Sequence, residues 1–376
     1  MKILHFYKTS IKDSNGGTEQ FMHQLILGGQ KIGIEAEILT LSPDGKDDCD
    51  QSLGYNIYRI PRQFEIASNS ISLAAFRKFT ELGLNADIIH YHFPWPFMDV
   101  VHFLTRVNKP SVVTYHSDIV KQKKLLKLYS PLMYQFLNSV DKIIATSENY
   151  YRTSEILQKF KSKVSIVPIG IDENSYEPIE KEQLDYWRNL LGGNFYLFVG
   201  ALRYYKGLHF LIEAACDSTW PIVIAGTGPI EKELKKIIVE RKLNNIFLLG
   251  SVSEKDKAIL YTLCRAVVFP SYLRSEAYGI TLVEASMYSK PMITAEIGTG
   301  TSYVNLHNIT GIVVPPNDSK SLKLALNQLW NNDLLCKQLG DNARKHYEEN
   351  LTAVKMSELY SYVYRDLIHL KKKRLS

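Results

Sequence analysis

Two carboxylates stand eight residues apart in the stretch 275–291, SEAYGITLVEASMYSKP: Glu276 and Glu284, with Gly279 between them. The apolar run RAVVFP at 265–270 precedes them and reads as a buried strand. If a helix then begins near Gly279 or Ile280, Glu276 lies in the loop before it and Glu284 about one turn inside. The amides of Gly279, Ile280, Thr281 and Leu282 would have no intrahelical acceptor. They point forward with about half a positive charge behind them, which suits a diphosphate. Glu276 beside that end can accept hydrogen bonds from sugar hydroxyls. Glu284 can hold a ribose diol, because a carboxylate offers two acceptor oxygens. The residues alone equally allow Glu276 to cap the helix and Glu284 to be solvated.

Other groups could serve the same chemistry. In GALRYYKG, 200–207, Arg203 and Lys206 follow an apolar run and could neutralise a diphosphate leaving group. A solvated surface loop is the plain alternative. NGGTE, 15–19, opens a helical pattern, and Gly16 and Gly17 could let the backbone approach a phosphate or a substrate. A simple helix-start turn explains them as well. AGTGP, 225–229, places Gly226 and Gly228 after another apolar run, with a proline suited to a first helical turn. Neither a G-x-G-x-x-G fingerprint nor a P-loop is present. In TYHSD, 114–118, His116 could hydrogen-bond a sugar hydroxyl, or be packed. His90 and His92 are a poor metal pair with no evident third ligand, and the rings of HYHFPWPF, 90–97, could wall a sugar or a lipid chain. Asp48-Cys49-Asp50 has the spacing of a metal-binding carboxylate pair. It sits in a polar stretch, 42–52, that reads as a surface loop, and metal binding is not expected there.

These groups need elements to hold them. Strand-like runs at 2–7, 35–41, 56–60, 87–91, 111–115, 142–146 and 164–168 alternate with helical patterns such as 18–33, 71–83 and 125–137. A turn-rich segment at 168–178 breaks the rhythm. A second alternation follows, with strands at 195–199, 221–225, 245–249, 266–270, 291–295 and 311–314. Its helices are expected at 208–216, 230–241, 253–263, 280–289 and 319–329, and 353–369 reads as a last helix. The pattern predicts an α/β protein with parallel sheets: a first domain at 1–180, a second at 190–350 and a terminal helix with a basic tail at 352–376. Two Rossmann-like domains in tandem would carry ligands outside the carboxyl ends of their strands, facing a cleft.

The totals agree. A chain of 376 residues, 45% of them hydrophobic, suits two cored domains. No apolar run reaches the roughly 18 residues of a membrane span, and the N-terminus lacks a signal-peptide pattern. Four scattered cysteines fit a reducing cytoplasm. A net charge of +6 is small for a nucleic-acid binder, and no nucleic-acid partner is expected. Lys121, Lys123, Lys124 and Lys127 nevertheless cluster among leucines, as do the basic residues 371–374. Such a segment could lie on anionic lipid, or be an ordinary amphipathic helix with a basic edge.

Taken in order, Gly16-Gly17, Lys206-Gly207, Gly226-x-Gly228-Pro229 and Glu276-x7-Glu284 resemble the GT-B retaining glycosyltransferases of family 4, over nearly the whole chain. LRYYKG at 202–207, LRSEAYGITL at 273–282, EIGTGTS at 296–302 and TYHSDI at 114–119 are similar to bacterial O-antigen mannosyl- and rhamnosyltransferases that use GDP-sugars. The resemblance implies two domains across a cleft, with the last helix crossing back to the first. It implies a donor site of Arg203, Lys206, Gly226, Gly228, Tyr278, Gly279, Ile280, Thr281, Leu282 and Glu284, with Glu276 and His116 as catalytic residues. Gly16 and Gly17 would line the acceptor or phosphate loop. The implied reaction transfers a hexose, foremost mannose from GDP-mannose, with retention and without a metal or other cofactor. Its acceptor would be a lipid-linked saccharide at the cytoplasmic face of the inner membrane. The family's usual G-R-L-x-x-x-K-G has Ala201 at its arginine position, so Arg203 is expected to take over the diphosphate contact. GDP-rhamnose, a UDP-hexose and a non-catalytic sugar-nucleotide binder remain alternatives.

Overall fold

The runs IIHYHF and AVVF are buried at every position. Strands without a wet face must be covered on both sides, which is the condition of parallel sheets wound with helices. The computed structural model describes residues 1–14, 16–66, 69–119 and 123–375. The chain divides into two units, Met1–Ile171 with Ala353–Ser376, and Asp172–Thr352.

The first unit holds an eight-stranded sheet in the spatial order Val164–Ile166, Lys142–Ala145, Ser111–Tyr115, Ile88–Phe93, Lys2–Phe6, Glu35–Ser42, Ile57–Pro61, Asp48–Asp50. All pairings are parallel except the last. The order reverses between Lys2–Phe6 and Ile88–Phe93, which makes this pair the topological switch point of the sheet. The last helix, Ala353–Leu375, belongs to this unit. Ala353 donates its amide to Ile171 O at 2.9 Å, so the chain returns where it left. Helix Gly17–Gln30 packs against it at a glycine: a Cβ on Gly28 would lie 2.3 Å from Ala353 O. Tyr360 and Tyr364 carry the contact into the sheet, with their hydroxyls bonded to Thr114 and His90 at 2.7 Å.

The second unit is a six-stranded, all-parallel sheet in the order Ile246–Gly250, Ile222–Ala225, Tyr196–Val199, Ala266–Phe269, Met292–Ala295, Gly311–Val314. Numbered along the chain this is 3-2-1-4-5-6, the doubly wound nucleotide-binding order. Its switch point lies between Tyr196–Val199 and Ala266–Phe269, the strands that precede the Arg203–Lys206 and Glu276–Glu284 segments.

Three expectations are corrected. The polar stretch 42–52 is not simply a loop, because Asp48–Asp50 forms an antiparallel edge strand on Ile57–Pro61. Asp48 lies across from Arg59, and Asp50 lies 3.4 Å from Lys12 Nζ. Charged cross-strand pairing explains the spacing and also blunts a sheet edge. The rings of 90–97 do not wall a site, since Phe93, Trp95 and Phe97 are at most 5% exposed and Trp95 packs on Phe6 at 4.8 Å. Helices Pro96–Thr105, Lys181–Leu191 and Asp333–Asn350 add to those read from the sequence. Lys121 and the side chains of Lys123 and Lys124 lie outside the described residues.

Candidate donor and acceptor sites

In the second unit the two switch-point loops are brought together by glycines. Gly207 adopts φ +70°, and a Cβ there would lie 2.1 Å from Pro270 O. Only glycine permits that approach without strain. The turn Tyr204–Lys206 before it carries Lys206 inward, where its Nζ lies 2.5 Å from Glu276 Oε2. The Lys206 and Glu276 side chains are 10% and 11% exposed. Lys206 Nζ also lies 4.3 Å from the centre of the Phe269 ring, a cation–π contact, and Ser271 Oγ donates to Glu276 Oε2 at 3.3 Å. The sequence reading kept these residues apart, one for phosphate and one for sugar. The structure makes them one buried ion pair. Arg203 stands at the start of the same turn with its side chain exposed.

Gly279 is left-handed, φ 88° and ψ 76°, and immediately precedes helix Ile280–Met287. The helix therefore starts where the sequence placed it. One of the four expected free amides is taken, however, because Leu282 donates to Gly279 O at 2.9 Å. A tight first turn, with an i to i+3 bond, satisfies it. Among the described residues the amides of Ile280 and Thr281 have no acceptor, and both residues are half-buried. Tyr278 is 4% exposed and packed so closely that a Cβ on Gly300 would lie 2.3 Å from its ring.

Glu284 is not solvated. It is 4% exposed and accepts three hydrogen bonds: Tyr176 Oη and Lys257 Nζ at 2.7 Å on one oxygen, and Tyr261 Oη at 2.8 Å on the other. Burial works to lower the Lys257 pKa, but Glu284 and Glu254 outweigh it and hold the ammonium charged. Burial and then the Glu284 charge push the Tyr261 and Tyr176 phenols well up, so both remain donors. A carboxylate has about four lone-pair sites, which leaves room for one further donor. Lys257 and Tyr261 went unread in the sequence. They lie four apart on helix Glu254–Leu263, and nothing local connects them to Glu284.

Gly226 and Gly228 have a packing cause. A Cβ on Gly226 would lie 2.0 Å from Gly200 O, and one on Gly228 2.3 Å from Leu202 O. The loop after Ile222–Ala225 stacks on the loop carrying Arg203, pinned by Leu202 N donating to Thr227 O at 2.9 Å.

In the first unit, Gly16 precedes helix Gly17–Gln30 and accommodates the Glu19 carboxylate. A Cβ on Gly16 would lie 2.3 Å from Glu19 Oε2. Glu19, 6% exposed, accepts from Thr9 Oγ1 at 2.5 Å. The helix start expected to receive an anion or acceptor thus already faces a carboxylate. His116 follows strand Ser111–Tyr115 and is half-buried, with its ring edge-on to Phe21 at 4.9 Å. Burial lowers its pKa to about 3, so it is neutral near pH 7. The reading that no third ligand is evident beside His90 and His92 is also corrected. Strand pairing sets His5 opposite His90, and candidate ligand nitrogens of His5, His90 and His92 lie within 4.8 Å of one another.

A doubly wound sheet with charged loops and an unpaired helix start at its switch point has the arrangement in which α/β sheets take ligands. Comparison with known proteins carries this further. Residues 182–346 match the glycosyl transferases group 1, and residues 15–175 match Glycosyltransferase Family 4. The chain is 47% identical to D-rhamnosyltransferase WbpZ of Pseudomonas aeruginosa, over 94% of this chain and 93% of that protein. It is 46% identical to O-antigen chain mannosyltransferase C of Escherichia coli, over 99% and 100%. Its fold matches sucrose-phosphate synthase of Thermosynechococcus elongatus with a TM-score of 0.79 at 18% identity, over 98% and 99% of the two chains. It also matches Anabaena HepE, solved with UDP-glucose, at 0.76 and 18%, over 97% and 100%. The chain belongs to the GT-B glycosyltransferases of family 4.

Proposed function

We propose that the protein transfers a hexose with retention from a GDP-sugar, foremost GDP-mannose, to a lipid-linked saccharide in O-antigen or surface-polysaccharide synthesis. GDP-rhamnose is the nearest alternative, since the two relatives above are named for mannose and rhamnose transfer. The observation that carries the reading is the Lys206–Glu276 pair beside an open helix start at the second unit's switch point. A diphosphate there takes the Ile280 and Thr281 amides, exposed Arg203 and Lys206. As Lys206 turns to phosphate, Glu276 is released to accept from the sugar's hydroxyls. Glu284 uses its remaining lone pair for a ribose hydroxyl. His116 bonds a sugar hydroxyl. The acceptor hydroxyl attacks the anomeric carbon on the face the diphosphate leaves, and the departing diphosphate oxygen takes the acceptor's proton. Positioning and fixed cations supply the stabilisation, with no protein nucleophile and no metal.

A thermal-shift and hydrolysis screen of GDP-mannose, GDP-rhamnose, UDP-glucose and UDP-galactose, with and without EDTA, tests this. A GDP-sugar at 100 times its Kd should stabilise by about 2.7 kcal/mol, with EDTA making no difference. Stabilisation by UDP-sugars alone would overturn the donor assignment.

The acceptor side includes a lipid surface. Among the described residues no helix is long and apolar enough to cross a membrane. Helix Lys123–Ser139 does expose Leu125 by 51% and Leu128 by 80%, flanking Lys127. Apolar side chains beside a cation suit peripheral attachment to anionic lipid. Co-sedimentation with anionic vesicles at low salt should show it, and no binding there would defeat the idea.

A further inference from the structure

Four histidines cluster at the switch point of the first unit, and the reaction above uses one of them. His5 lies on Lys2–Phe6, His90 and His92 on Ile88–Phe93, and His116 just after Ser111–Tyr115. Two contacts join three of them into a file. His5 Nδ1 lies 3.0 Å from His92 Nε2, and His92 Nδ1 lies 3.1 Å from His116 Nε2. His90 stands beside the file with both nitrogens committed, Nδ1 to Tyr364 Oη and Nε2 to Thr114 Oγ1, each at 2.7 Å.

A metal site is the first alternative, and the contacts the nitrogens already make disfavour it. His5 and His92 are inclined by 24° with centroids 5.3 Å apart, and His90 and His92 by 21° at 4.5 Å. An ion held by His5 and His92 would have to replace the direct contact between His5 Nδ1 and His92 Nε2. Occupying His90 would also break one of its two hydrogen bonds.

A neutral imidazole carries one N–H, and each contact in the file needs one proton between two nitrogens. Two arrangements satisfy both contacts. In one, all three histidines are protonated on Nδ1, and His116 Nδ1 faces outward as a donor. In the other, all three are protonated on Nε2, and His116 Nδ1 is an acceptor. Any mixed arrangement sets two N–H groups, or two lone pairs, against each other in the interior. His5 and His92 are no more than 1% exposed, so such a mismatch is not relieved by water.

We propose that His92 and His5 are positioning residues that tie the tautomer of His116 to their own, so that it donates to or accepts from a sugar hydroxyl only in step with them. The sugar contact rests on the function proposed above, whereas the tautomer coupling does not. Burial keeps the file uncharged: it lowers His5 to about 3 and, with the neighbouring histidines, holds His92 well below the ordinary range.

The test uses the full chain labelled with nitrogen-15 at histidine. Long-range proton–nitrogen spectra distinguish the two tautomers of each ring. The wild-type protein should show His5, His92 and His116 protonated on the same-named nitrogen. His5→Phe removes the far end of the file, and the His116 tautomer populations should then change although its own contact is untouched. His5→Asn restores to His92 Nε2 a partner able to donate or accept, and the wild-type His116 populations should return. Kinetically, His5→Phe should lower kcat/KM about tenfold with a rise in KM, and His5→Asn should recover most of it. Different tautomers within the wild-type file, or a His116 signal unmoved in a folded His5→Phe protein, would overturn the proposal. So would equimolar Zn²⁺ shifting all of His5, His90 and His92, which would make the cluster a metal site. Full activity in His116→Gln, with the spectra as expected, would remove the sugar contact and leave the coupling standing.

Discussion

Replacing Lys206 with methionine keeps most of the side-chain volume and removes the charge. Among the described residues Glu276 would then keep a single hydrogen-bond partner, Ser271 Oγ at 3.3 Å, in a site where its side chain is 11% exposed. Breaking a buried pair from one side costs about 3–5 kcal/mol, because the remaining charge is left without compensation. For a unit the size of Asp172–Thr352 each kcal/mol lowers Tm by about 2–4 °C, so Lys206→Met should lower it by roughly 6–20 °C. Glu276→Gln should cost less, about 1–3 kcal/mol, because the lysine stem can carry Nζ toward water. The double variant leaves no unpaired charge and should be more stable than Lys206→Met alone. Denaturant unfolding of the four proteins gives the coupling directly, and about 2 kcal/mol or more is expected. All three variants should lose sugar transfer. A Lys206→Met protein melting within 2 °C of wild type, with additive single effects, would refute the claim that this ion pair organises the switch point.

Glu284→Gln leaves Lys257 facing an amide, so it should destabilise the second unit by about 1–3 kcal/mol and raise the donor KM; unchanged melting and KM would show that Glu284 is a bystander. Gly207→Ala places a Cβ 2.1 Å from Pro270 O at φ +70°, so it should cost at least 1–3 kcal/mol and abolish donor-induced stabilisation, as a thermal-shift titration would reveal. The first unit should be acid-sensitive. His5 and His116 are lowered by burial to about 3, and His90 and His92 are held well down. Because these folded values lie below the unfolded value of about 6.5, the unfolded chain binds the extra protons. Stability is therefore whole above pH 6.5 and falls toward pH 3, by about 1.4 kcal/mol per histidine per pH unit. Hydrogen exchange of the first sheet at pH 7.5, 6 and 5 measures this, and a flat profile would contradict it.

The alternation of short apolar runs with helical stretches located every strand of the second sheet to within a residue or two, because most of these strands are buried on both faces and leave an unbroken apolar signature. Helix Asp333–Asn350 escaped for the opposite reason. Its buried stripe of Cys336, Leu339, Gly340, Ala343 and Tyr347 is diluted by charge, although its spacing is helical. The edge strand Asp48–Asp50 has no apolar signal at all, since its neighbour across the ladder defines it.

What the amino-acid order determined by itself was local: the strand rhythm, the glycine that opens the Ile280–Met287 helix, and the acids, bases and histidines near strand ends. What only the tertiary structure decided was which of these touch. Lys206 meets Glu276 across 70 residues, and His5 meets His92 across 87. Parallel strands become neighbours through long crossovers, so their adjacency depends on how whole helices pack and not on any pattern within one segment.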